Sequence, residues 1–169
     1  MIKRVGFMVM GLIISTALFA DGGGGSAAGS GSSGSSAPKP APQPTAQSWY
    51  ALGYQAAKSA KFDEAITDLD AALKLRADYP EALNMKGYSL RKSGKLDEAF
   101  SYYEKALALK PNFPDAREYY GEASLQAGDL KKAIQQYLIL QKANVPQAKE
   151  LLAWIDAYVN NKTPPAEDI

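Results

Sequence analysis

Residues 80–113 read PEALNMKGYSLRKSGKLDEAFSYYEKALALKPNF, and the stretch occurs three times in related form. Pro80-Glu81-Ala82 returns as Pro114-Asp115-Ala116, 34 residues on. Gly87 returns as Gly121 and looks back to Gly53. Ala99 returns as Ala133 and looks back to Ala65. A fixed period of this size means stacked supersecondary units.

Within 80–113 the apolar residues fall on two helical faces. Pro80 suits a first helical position, where its missing N–H is no loss. Leu83, Gly87 and Leu90 recur at spacings of three and four and form an inner face. Ser93-Gly94-Lys95 is a turn. Leu96, Ala99, Phe100, Tyr103, Ala106 and Leu107 mark a second helix, which Pro111 closes. The first copy, 46–79, repeats this with Trp49, Leu52, Gly53 and Ala56, a break at Ala60-Lys61, then Phe62, Ala65, Ile66, Leu69, Ala72 and Leu73. The third copy, 114–145, carries Tyr120, Gly121 and Ser124, a turn at Ala127-Gly128-Asp129, then Leu130, Ala133, Ile134, Tyr137 and Leu138. Pro146-Gln147-Ala148 follows 32 residues after Pro114, so this unit is short. A seventh helix over 147–159, with Leu151, Leu152, Ile155 and Tyr158 on one face and Trp154 beside it, is expected to cap the stack. The helical domain is then 46–160, and 161–169 reads as a frayed tail. Gly53, Gly87 and Gly121, with Ala65, Ala99 and Ala133 opposite, should let the two helices of each hairpin approach closely.

These residues resemble the tetratricopeptide repeat family. Trp49-x-x-Leu52-Gly53 fits its first helix, and Ala65, Ala72, Gly87, Ala99, Tyr103, Ala106, Pro111, Gly121, Ala133 and Tyr137 fit the later positions. The resemblance covers about 46–145. Arg117 for the opening Trp, Lys86 for the Leu and Leu140 for the last small residue depart from the pattern. The likeness implies an all-α fold, a right-handed superhelical stack of about seven helices whose first helices line a concave groove.

Composition narrows the chemistry. The 169 residues carry 19 basic and 18 acidic side chains, for a net charge of +1. No basic face is in prospect, which argues against a nucleic-acid partner. Cysteine and histidine are absent. A disulfide framework and a thiolate zinc site are therefore excluded, as are a thiol nucleophile and the commonest general base. No cofactor, metal or catalytic site is expected. Asp63-Glu64 and Asp97-Glu98 open second helices, where acids favour the helix dipole, so they argue for structure and not for an enzyme.

The N-terminal region reads as an export leader and a tether. Lys3 and Arg4 precede an apolar run from Val5 to Phe19, shorter than the roughly 20 residues of a membrane span. Residues 1–20 are a signal peptide or, uncleaved, an N-terminal membrane anchor. Residues 21–45 form a Gly/Ser/Pro-rich linker, disordered in its first part and extended where Pro38, Pro40, Pro42 and Pro44 alternate. This stretch is a spacer, a proline-rich ligand or cloning sequence. A leader before three repeats also looks like small periplasmic repeat proteins of Gram-negative bacteria. The expected location is exported, in the periplasm or anchored to the inner membrane.

Spacing places Tyr50 and Tyr54, then Asn84, Tyr88 and Arg91, then Glu118 and Glu122 on the groove stripe that the fold implies. Exposed tyrosines give contact area at low entropy cost. Glu118 and Glu122, four apart, repel unless a cation joins them: a ligand's Lys or Arg, or Arg91. They also fit a solvated face, as Arg91 with Lys92 fits a surface pair. The Lys/Asn pair with which family members clamp chaperone C-termini is absent from the first helix, so that function does not carry over. The expected function is a protein–protein interaction module or scaffold binding a protein or peptide segment in the groove. The alternatives are a homo-oligomeric scaffold pairing through the capping helix and an exposed Trp154, and, more remotely, cell-wall glycan binding. Asn161-Lys162-Thr163 matches a glycosylation acceptor too short to carry weight.

Overall fold

The computed structural model describes residues 43–166 and 169. The expected leader, and the linker up to residue 42, lie outside the described residues. Among these the chain forms seven α-helices and no strand. They are α1 (Ala46–Lys58), α2 (Phe62–Leu75), α3 (Pro80–Lys92), α4 (Leu96–Leu109), α5 (Pro114–Gln126), α6 (Leu130–Ala143) and α7 (Gln147–Val159). No described helix is long and apolar enough to cross a membrane.

Local sequence explains the helix ends. Thr45 caps α1, accepting from the Ser48 N–H while Ser48 Oγ accepts from the Thr45 N–H, so two orphan donors are satisfied reciprocally. Pro80 and Pro114 open α3 and α5. Asp63-Glu64 and Asp97-Glu98 occupy the first turns of α2 and α4, next to the positive end of the helix dipole. Each first helix ends on one left-handed residue followed by an N–H that reaches back five residues: Lys61 to Ala56, Lys95 to Leu90, Asp129 to Ser124 and Lys162 to Ala157. The left-handed residues are Ala60, Gly94, Gly128 and Asn161, with φ of 56°, 79°, 81° and 52°.

The helices pack as pairs, α1 on α2, α3 on α4 and α5 on α6, and each pair packs on the next. Ala65, Ala99 and Ala133 are fully buried at the crossings. A Cβ on Gly87 would lie 2.7 Å from Cε1 of Tyr103 on the paired helix, so the close approach needs glycine there. Gly121 differs from expectation. A Cβ there would meet Leu151 of α7 at 2.5 Å, because α7 and not α6 presses on that point.

The helix α7 packs against both α5 and α6. It starts 33 residues after α5, so it is the first helix of a fourth unit that has no second helix among the described residues. Trp154 stands where α5 has Gly121. With no paired helix pressing on it, the indole has room, and it is buried, not exposed as expected. Its stripe is Leu151, Trp154 and Ile155, and Leu152 and Tyr158 turn outward, 44% and 40% exposed. Ile134 and Leu138 of α6 are also exposed. The equivalent Phe100 of α4 is covered edge-on by Tyr120 of the next unit, but α7 has Ala153 at that place.

Leu52 corrects the expected inner face of α1, since it is 54% exposed. Its counterparts, Lys86 and Tyr120, reach back to the preceding unit's second helix. Lys86 donates to Asp70 and to Tyr102 Oη (2.7 Å), and Tyr120 donates to Glu104 (3.1 Å). The first unit has no earlier helix to meet among the described residues. The departures from the family pattern are thus accommodated: Lys86 bridges units, Arg117 bonds Gln136 and the Pro111 carbonyl, and Leu140 is buried against α7's cluster.

Candidate functional site: the face of the first helices

The period brings equivalent positions of α1, α3 and α5 into rows. Tyr50, Asn84 and Glu118 form one row; Tyr54, Tyr88 and Glu122 form a second; Ala51, Met85 and Tyr119 form a third. Along each of the first two the surface passes from aromatic in the first unit to acidic in the third. α1 touches α3 and α3 touches α5, so these rows are also continuous in space.

Burial divides the seven residues expected here. Tyr50 and Tyr54 are half-buried, with ring centroids 6.1 Å apart. Tyr88 is not an exposed tyrosine but is 4% exposed. Its ring lies 6.2 Å from Phe62 and 5.2 Å from Tyr119. Arg91 and Glu122 are not surface charges either. They form a 2.8 Å ion pair with side chains 0% and 2% exposed, and the guanidinium stacks near Tyr88, 5.3 Å from its centroid. Of the three expectations for the acidic pair, Glu122 meets Arg91 and does not lie on a solvated face. Adjacent first helices stand against one another, and that contact hides the stripe that spacing alone left open.

Glu118 is buried as well, and its carboxyl is pushed up to about 9. Burial is the main cause, followed by the hydrogen bond with Glu150 and the charges of Glu122, Glu150 and Asp115. At neutral pH it is therefore protonated, a donor for its hydrogen bond with Glu150. Burial, and then the neighbouring Tyr79 and Tyr54, push the Tyr50 phenol up to about 12, so it remains a hydrogen-bond donor. Glu81 sits below the ordinary carboxylate range: burial raises it, but Lys110, bonded at 3.0 Å, outweighs this.

Two hollows of about 360 Å³ each open on this face. The first is walled by Tyr50, Tyr54, Asn84, Met85, Lys110 and Tyr119. The second, between α5 and α7, is walled by Glu118, Tyr119, Glu122, Lys149, Glu150 and Trp154. Tyr119 borders both. Oδ1 of Asn84 is buried on the first hollow's wall with no hydrogen-bond partner among the described residues. Leaving such an acceptor unpaired costs about 1–3 kcal/mol. Tyr88 and Arg91 line neither hollow and instead brace the wall behind them.

Sequence reasoning missed Met85, Tyr119, Lys110, Glu150 and Trp154. Met85 and Tyr119 share a repeat position with Ala51, so reading that third row would have found them. Glu150 and Trp154 come from α7, whose packing against α5 its own sequence pattern does not show.

Sequence models of the tetratricopeptide repeat match residues 50–114 and 90–155. The chain belongs to the tetratricopeptide repeat family. No curated protein sequence matches it significantly. Solved structures with the same fold include the Yersinia enterocolitica type III secretion chaperone SycD in complex with a peptide of the translocator YopD, 22% identical over 68% of this chain and 89% of that one, with a TM-score of 0.59. The first repeat domain of Spaghetti (RPAP3), bound to the HSP90 peptide SRMEEVD, is 22% identical over 69% and 94%, with a TM-score of 0.61. The Sgt2 repeat domain of Aspergillus fumigatus is 24% identical over 76% and 91%, with a TM-score of 0.62.

Proposed function

We propose that this chain is a protein–protein interaction module that docks an extended partner segment along the face of its first helices. The observation that carries this reading is the pair of adjoining hollows, with the orphaned Asn84 acceptor on the wall of one of them. The structures bound to a YopD peptide and to an HSP90 peptide support the same mode of action for the fold. Here the tyrosine end takes an apolar side chain. Asn84 takes a backbone or side-chain donor. The Glu118–Glu150 end takes a Lys or Arg, since Glu118, Glu122 and Glu150 line that hollow together.

The test is selection from a random peptide library displayed against the intact chain and against a Tyr50→Ala/Tyr54→Ala variant. Both tyrosines are half-exposed, so the double variant keeps its core, which a Tyr88→Ala change would not. The expected result is a converged motif joining an apolar to a basic residue, retained by the intact chain and lost from the variant. No enrichment, or equal retention by both, contradicts the reading. Export belongs to the proposal on the strength of residues 1–20 alone, and the mass of the protein recovered from cells shows whether the leader is removed.

A second reading, self-association through the last unit, is favoured by exposed Leu138, Ile139 and Leu152 on α6 and α7. Sedimentation at high concentration decides it, and a monomer there rules it out. Trp154, being buried, has no part in such an interface.

A further inference from the structure

Beyond α7, Pro165, Ala166 and Ile169 lie on the binding face. Pro165 and Ala166 line the α5–α7 hollow beside Glu118 and Trp154. Ile169 lines the other hollow beside Tyr50 and Tyr54, and packs against the main core cluster. The two hollows share Tyr119, and three residue steps from Ala166 reach at most about 11 Å, so one segment serves both. Pro164 and Pro165 fix φ near −65° and donate no hydrogen bond, which favours the extended form that a groove between helices accepts.

We propose that this segment, through Pro165, Ala166 and Ile169, is a tethered ligand that occupies the groove and must be displaced by the partner. The inference rests on the groove reading above and adds the chemistry of the competitor. A matching partner presents an aliphatic side chain for the Tyr50–Tyr54 hollow and, four residues before it, a proline for the Trp154 hollow. The tether is short, because α7 ends at Val159. A short tether holds its ligand at an effective concentration of order millimolar, so a free peptide with a Kd of about 100 μM would bind the intact chain about tenfold more weakly than an open groove.

The test uses a peptide of residues 162–169, labelled at its amino end, and fluorescence anisotropy. It is titrated with the intact chain, with a chain lacking residues 163–169, with the full-length Ile169→Asp variant, and with the shortened chain carrying Tyr54→Ala. Circular dichroism checks that each is folded. The expected result is binding to the shortened chain, about tenfold weaker binding to the intact chain, recovery in Ile169→Asp and loss with Tyr54→Ala. Equal affinity for intact and shortened chains, or no binding to the shortened chain, overturns the proposal. A library selection on the shortened chain separates the two readings. A motif selected there that also binds the intact chain equally well leaves the groove standing and overturns the tether.

Discussion

Single residues set both the turns and the charge state of this protein. Ala60 adopts the left-handed conformation that Gly94 and Gly128 occupy in the later units, and a side chain in that region costs about 1–2 kcal/mol. Ala60→Gly should therefore raise the unfolding free energy by about 1 kcal/mol, and Gly94→Ala should lower it by a similar amount. Urea titration reads both, and an unchanged midpoint for either would contradict the strain argument. Glu118 gives a pH prediction. Its carboxyl titrates at about 9 in the folded chain, against an ordinary value of 4.5. As pH rises through that window the unfolded chain releases this proton first while the folded chain keeps it, so stability falls from about pH 4.5 to about pH 9. Glu118→Gln has no proton to hold, and its melting temperature should decline less over that range. A decline as steep as the wild type's would show that Glu118 is ionised when folded. Residue-level reading from sequence was uneven for a physical reason. Spacing identified which side chains share a stripe, so Tyr50, Asn84 and Glu118 were placed in one row. Whether a stripe is open depends on the neighbouring helix, so Tyr88 and Arg91 were expected at the surface.

The helices were legible because the helical period and the local chemistry of most helix ends agree. Pro80 and Pro114 at first positions, the paired acids opening α2 and α4, and the glycine turns all point to the same boundaries. The face of α7 was less legible. Leu151, Leu152, Ile155 and Tyr158 fit a helical stripe about as well as Leu151, Trp154 and Ile155 do, and only packing on α5 and α6 decides between them. The element carries a prediction of its own. α7 closes the last unit through Leu151 and Trp154, so Trp154→Ala should cost about 3–5 kcal/mol. In a stack where each unit contacts its neighbours, the damage should stay local. Hydrogen exchange should show α5, α6 and α7 losing protection while α2 and α3 keep theirs. Uniform loss along the chain would mean that the units do not open separately.

At the scale of the whole molecule, repetition turns one helix surface into a graded one. Tyrosines lie at one end, the Asn84 acceptor in the middle and the hydrogen-bonded Glu118 and Glu150 at the other. The buried Arg91–Glu122 pair and the aromatic contacts of Tyr88 hold α3 against α5, so the two hollows keep a fixed relation without a ligand present. A rigid site of this kind loses little entropy when a partner docks. The most direct measurement is the amide NMR spectrum of the protein titrated with the best library-selected peptide. The account predicts shifts at Tyr50, Tyr54, Asn84, Tyr119 and Glu150, on one face of three first helices and the start of α7. Shifts confined to the outer surfaces of α4, α6 and α7 would contradict it.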